Sequence, residues 1–281
     1  MLKPPPRAAL PAGSAEPAPA VACRAAAFAA KTLAIADMET RKLLHDPTEL
    51  FTRALQPALW LLIFGQVISR GHIVDTGGLP YLHFLVPGIL AQSVLFIAIF
   101  NGISIIWERD LGIVHKFLAT PTPRAALVLG KALGGAMRAL VQAIVIVLLA
   151  LALGVQIRWA AGPLGGAVLL IVLGAAVFST FSLIVACIVK TRERFMGIGQ
   201  VLTMPLFFAS NAIYPTAMMP PWLQVVSHVN PLTYQVDGLR ALLLTGAPAA
   251  AVGLTTDFAV LGAALLALVL ISARLYPNIA R

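Results

Sequence analysis

Residues 164–189 read LGGAVLLIVLGAAVFSTFSLIVACIV, 26 residues with no Asp, Glu, Lys, Arg or Pro. Gly162-Pro163 opens the run and Lys190-Thr191-Arg192-Glu193-Arg194 closes it. One transmembrane helix takes about 20 apolar residues. The run is long enough to cross a bilayer, and a helix can satisfy its own backbone there. The rest of the chain has the same character. Of its 281 residues 59% are hydrophobic, against about 45–50% in soluble domains, and 11% are charged. Mean hydropathy is +0.91. This composition excludes a soluble globular protein, a disordered chain and a fibrous one. Two cysteines exclude a disulfide-stapled scaffold. What remains is an all-α membrane protein with room for roughly six spans.

Working outward from 164–189, further apolar stretches predict spans at 54–69, 82–106, 125–155, 195–213 and 257–273. Pro57 sits near the start of the first span, where a first helical turn tolerates it. Pro87-Gly88 predicts a kink in the second. The stretch 125–155 exceeds one simple span. Lys131 and Arg138, seven apart on one face, place 125–138 in a cytoplasmic extension of that helix. Residues 1–23 are Pro/Ala-rich and read as a disordered cytoplasmic tail. Cys23 follows Ala20-Val21-Ala22 without a preceding apolar run, so a lipidation signal is rejected. Residues 24–46 predict a helix. Arg24, Lys31 and Lys42 share one stripe, with Phe28, Ile35 and Leu43 beside it. That pattern suits an amphipathic helix on the inner membrane surface, although Glu39 falls within the apolar arc. The remainder, 47–281, reads as one transmembrane domain.

The net charge of +9 follows the positive-inside rule rather than nucleic-acid binding. With the N terminus cytoplasmic, fifteen of the twenty Lys and Arg fall in 1–53, 107–124, 190–194 and 274–281, and three fall in outer loops. Both termini are therefore expected in the cytoplasm. No span carries Asp, Glu or Lys at its centre, which counts against an ion-coupled transporter. The five histidines are scattered, and no metal-ligand spacing or hydrolase motif is present. Gly130-Lys131 is followed by Ala132, so no phosphate loop is formed. No cofactor or metal is expected on this chain, and energy for any driven process would come from another subunit.

Two segments carry functional information. The cytoplasmic loop 107–124 holds Glu108-Arg109-Asp110-Leu111-Gly112-Ile113, then Phe117-Leu118-Ala119-Thr120-Pro121, with Leu129-Gly130-Lys131 beyond it. It suits a small helix docking onto a soluble partner through Ile113, Phe117 and Leu118. A solvated loop with ordinary inner-face cations is the simpler alternative. The outer segment 214–256 is too apolar for a free loop and too interrupted for a span. A short helix is expected over 222–228. A second starts at Asn230-Pro231, runs to about Leu244 and stops at Gly246. Asp237 and Arg240 are spaced to pair. The two helices read as a re-entrant pair before the last span, serving as an exit lining or as a structural lid.

The sequence resembles the permease subunit of ABC-2-type ATP-binding-cassette exporters, closest in its loop wording to the drug and nodulation-factor exporter branch. The resemblance rests on Glu108-Arg109-Asp110-Leu111-Gly112 with Thr120-Pro121 and Leu129-Gly130-Lys131 after it. It rests also on Pro231, Leu232, Tyr234 and Arg240, and on the order of interfacial helix, six spans and re-entrant pair. His115-Lys116 departs from relatives that carry an acidic residue there. The resemblance implies a coupling helix at 108–121 set in a groove of an ATPase subunit. That set comprises Glu108, Arg109, Asp110, Gly112, Ile113, Phe117, Leu118, Thr120 and Pro121. It implies an exit motif of Asn230, Pro231, Tyr234, Asp237 and Arg240. Two ATPase chains would bind the ATP and Mg, and a second permease chain is expected as a homodimer partner in a bacterial inner membrane. Export of an amphipathic drug, lipid, glycolipid or polysaccharide would follow, along a path lined by spans one, two and five. A secondary transporter or channel, and a membrane-embedded enzyme, are the rival readings.

Overall fold

The computed structural model describes residues 21–45, 48–71, 74, 76, 78–120, 122–189, 191–246 and 250–276. Of the tail expected over 1–23, residues 1–20 lie outside the described residues and 21–23 are helical; Pro121 and the side chains of Cys23, His115 and Leu118 also lie outside them. The described residues form helices joined by short turns. Their sole β pairing is an isolated bridge between Ile157 and Leu244.

Helix α4 (Tyr81–Asp110) is the axis of the molecule, with 72% of its most apolar window buried. At about 1.5 Å per residue its 30 residues reach about 45 Å. That exceeds a hydrocarbon core of about 30 Å. It packs against α7 (Ala161–Ile188) and α6 (Arg124–Ala152), which also pack on each other. Helix α11 (Leu254–Leu275) lies at the periphery, with 17% of its window buried, leaving a face suited to lipid. These four helices are each long and apolar enough to cross a membrane. They fall on the expected spans 82–106, 125–155, 164–189 and 257–273.

The expected first span, 54–69, falls on a longer, interrupted helix. It begins as α2 (Thr48–Leu59), widens into a π-helical turn over Trp60–Phe64 and ends as α3 (Gly65–Gly71). Pro57 lies inside α2 rather than in a first turn. Having no N–H, it cannot bond the carbonyl four residues back, and the chain widens just beyond it. The Gly65 N–H bonds Trp60 O, one residue farther back than in an α-helix. Trp60 stacks on Phe64, ring centroids 4.4 Å apart, and meets Phe207 edge-on at 5.9 Å. The expected fifth span, 195–213, is a shorter helix, α8 (Arg192–Phe208). Thr191 caps its start by accepting the Arg194 N–H. Pro205, within its final turn, withholds one backbone bond, and the chain turns away at 209–213.

Helix α1 (Val21–His45) lies along α6. Its buried face is Thr32, Ile35, Ala36 and Glu39. The contact is close because α6 presents glycine there. A Cβ at Gly130 would fall 2.6 Å from the Ile35 Cβ, and one at Gly134 would fall 2.3 Å from the Glu39 Cβ. Small residues four apart let helix backbones approach in this way.

Candidate coupling site and membrane cavity

The information-rich loop is mostly helix. α4 runs on to Asp110, and Leu111 and Gly112 turn the chain. Gly112 has φ 71°, a left-handed conformation that a Cβ would strain. Helix α5 (Ile113–Ala119) follows. Thr120 closes it, its hydroxyl donating to Phe117 O at 2.7 Å. Pro123 then precedes the first turn of α6.

Four charged side chains lock this elbow to its neighbours. Lys131 Nζ on α6 donates to Glu108 Oε2 at 2.5 Å and to Glu39 Oε1 at 3.3 Å. Arg138, two turns along α6, donates to Glu39 Oε2 at 3.3 Å and to Asn101 Oδ1. The side chains of Lys131, Glu39 and Glu108 are 3–6% exposed. Buried charges persist only when paired, so α1, the end of α4 and α6 are held as one unit. Phe117 of α5 packs beneath them, 5.7 Å from Lys131 Nζ, in an apolar cluster with Ile35, Val114, Leu127 and Tyr276. On the outer side of the elbow, Arg192 of α8 pairs with Asp110 at 2.8 Å and covers the Trp107 ring at 3.6 Å. Arg109 also pairs with Asp110, at 3.1 Å.

The structure places the expected docking residues differently from one another. Phe117 faces inward and Ile113 is half-buried, since α5 covers its own core with its apolar side. Glu108 is turned inward by Lys131. Among the described side chains, the exposed edge holds Leu111, 68% exposed, with Asp110, Lys116, Ala119 and Thr120. The buried network went unread in the sequence, although three of its four members were visible as anomalies. Glu39 interrupts an apolar arc, and Lys131 and Arg138 face one way on a helix. With Glu108, the two carboxylates balance the two cations.

The outer segment forms a single turn at Thr216–Met218, then α9 (Pro221–Val229) and α10 (Pro231–Leu243). Asn230 caps α10 by accepting the Leu232 N–H at 3.0 Å, and its Nδ2 donates to Leu206 O at 2.6 Å. Tyr234 Oη donates to His228 O at 2.7 Å, tying the two helices. Gly246, with φ 77°, lies just past the end. The expected Asp237–Arg240 ion pair does not form. Arg240 turns inward, donates to Asn211 O at 2.8 Å and lies 3.8 Å over the Phe84 ring. Asp237 accepts the Val252 N–H at 3.2 Å. Each serves unpaired backbone of its own neighbour, and both are buried.

Two adjoining cavities of about 410 Å³ each lie along α2 and α4, one bounded also by α5 and α6 and the other by α8. They share Arg53, Ile97, Phe100 and Ile103. The inner one reaches the elbow at Trp107 and Leu111, and the other extends to Gln92, Met196 and Gln200.

The family model described as ABC-2 type transporter matches residues 30–244. The chain is 29% identical over 209 residues to a putative transport permease, ycf38, of Cyanophora paradoxa, covering 72% of this chain and 70% of that protein. It is 29% identical over 200 residues to the daunorubicin resistance ABC transporter permease protein DrrB1 of Streptomyces coeruleorubidus, covering 71% and 70%. It is 27% identical over 208 residues to the inner membrane transport permease YadH of Escherichia coli K12, covering 71% and 78%. The chain belongs to the ABC-2 type transporter family, and with its four long apolar helices it is a multi-pass membrane permease.

Proposed function

We propose that this chain is the membrane-spanning subunit of an ATP-driven exporter of amphipathic molecules, coupled to a separate ATPase at the elbow of α4 and α5. The observation that carries the reading is the buried Glu39–Lys131–Glu108 network beside the exposed edge at Leu111, Lys116 and Thr120. A push on that edge moves α4, α6 and α1 together, because their charges cannot be separated cheaply in a buried site. The interrupted helix 48–71 and α8 serve as the first and fifth of six spans, both termini are cytoplasmic, and α1 rests at the inner surface. Helices α9 and α10 form the re-entrant pair, and Arg240 holds them to the outer ends of α4 and α8. Two permease chains face each other above two ATPases in a bacterial inner membrane. The cavities along α4 are one side of the substrate path.

The test is co-purification. The tagged chain is expressed with its flanking genes, and its companions are identified by mass spectrometry. A stoichiometric ATP-binding protein, lost when residues 108–121 are scrambled, is expected. A clean permease without one would overturn the coupling assignment.

A further inference from the structure

Helix α8 lies on α4 along a seam one residue wide. Its buried residues are Phe195, Gly199, Thr203 and Phe207, spaced four apart on one stripe. Phe195 seats against Gly102 of α4, where a Cβ would fall 2.5 Å from its ring. A Cβ at Gly199 would meet Ile99 of α4 at 3.4 Å. Much of the helix faces away, with Met196 52% and Val201 70% exposed. At each end of the seam an arginine stands over an aromatic ring of α4. At the far end, Arg240 lies 3.8 Å over Phe84 and donates to Asn211 O, just past the end of α8. At the elbow, Arg192 is the first residue of α8; it lies 3.6 Å over Trp107 and pairs with Asp110 at 2.8 Å.

The two ends differ in burial. Arg240 is 8% exposed, whereas the side chains of Arg192 and Asp110 are 34% and 37% exposed. An exposed ion pair is weak and screened by salt, and it exchanges readily for another partner; a buried one resists separation. At the same elbow the Glu39–Lys131–Glu108 network is buried. The elbow therefore grips α1 and α6 firmly, and α8 by contacts that a competing charge can undo. Arg109 pairs with Asp110 from the same helix end and moves with it. Asp110 itself lies on the exposed edge, where a cation of a docked protein would compete with Arg192 for it.

We propose that Arg192 is a positioning residue, the latch by which the elbow holds α8, and that its release lets α8 lift from α4 while the Arg240 end stays anchored. The proposal rests on an ATPase docking at the edge that carries Asp110 and Leu111, and it names the helix that docking sets free. Met196 and Gln200 of α8 line the cavity along α2 and α4, so lifting α8 widens that cavity.

The test uses the purified permease–ATPase complex in lipid nanodiscs, in a Cys23→Ser, Cys187→Ser background. Thr203→Cys keeps nearly the native size within the seam, and its rate of reaction with a small thiol reagent reports lifting of α8. Ser179→Cys, buried on α7, reports general loosening. R192Q removes one exposed ion pair and one cation–π contact, and is expected to speed labelling at 203 about tenfold. Labelling at 179 should stay slow. D110N keeps the stacking on Trp107 and should speed labelling at 203 less. R194Q, an exposed neighbour on the same turn, should match the unaltered chain. ATP should speed labelling at 203 in the unaltered chain and add little in R192Q. Unchanged labelling at 203 in R192Q would overturn the latch, and the coupling to an ATPase would still stand if ATP speeds it. An equal rise at 179 would also overturn it, since Arg192 would then hold the fold as a whole. Labelling raised by R192Q but indifferent to ATP would keep the latch and sink the coupling.

Discussion

Lys131 shows how one side chain decides a neighbourhood. It is a cation on an apolar helix, 3% exposed, between two carboxylates from different helices. Removing it takes from buried Glu108 the ammonium at 2.5 Å, while Glu39 keeps Arg138. Breaking a buried pair by removing one partner costs about 3–5 kcal/mol, whereas replacing both partners by neutral groups is often near neutral. K131M should therefore sharply lower the thermal midpoint of the purified permease, and K131M/E108Q should recover most of the loss. The elbow would still be detached in the double variant, so transport should stay low while stability returns. Equal loss in the single and double variants would show that Lys131 acts by packing rather than by charge.

At the scale of helices, the apolar runs were legible because length and the absence of charge suffice to mark a span. Asn230 as a cap and Gly246 as a stop were legible because their chemistry is local. What sequence could not reveal were the partners of α1. Its Glu39 finds Lys131 and Arg138 about a hundred residues away, and the glycines that admit it, Gly130 and Gly134, lie on α6. The inward turn of Phe117 was hidden for the same reason, since an apolar residue on a short helix suits either a partner or its own core. Two substitutions separate these levels. G134L places bulk where even a Cβ would fall 2.3 Å from Glu39. It should lift α1 from α6, seen as faster proteolysis within 21–45, at about 1–3 kcal/mol for overpacking. G112A strains one left-handed residue at about 1–2 kcal/mol. It should leave α1 protected while weakening ATPase binding at the elbow. Proteolysis of α1 in G112A would mean that elbow and α1 melt as one.

For the whole molecule, the consequence of these contacts is a direction. If the exposed edge at Leu111 and Thr120 meets an ATPase, it is cytoplasmic. The end of α4 that carries Tyr81 then faces outward, and with it the turn at Arg158 and helix α9. The exposed apolar face of α9, with Trp222 68%, Val225 66% and Val229 78% exposed, suits the outer leaflet or a covering chain. Cysteines placed one at a time in a Cys23→Ser, Cys187→Ser background report this through a membrane-impermeant thiol reagent applied to intact cells. Arg158→Cys should label from outside. Ala119→Cys should label only after the membrane is opened, and less when the ATPase is co-expressed. Trp222→Cys should label slowly from outside if its helix lies among lipid headgroups. Labelling of position 119 from outside would invert the topology and remove the coupling site with it. Labelling from inside that is indifferent to the ATPase would keep the topology and place the ATPase contact elsewhere on the inner face. The network at Lys131 would then be a clamp for α1 alone, since nothing would push on the edge it supports.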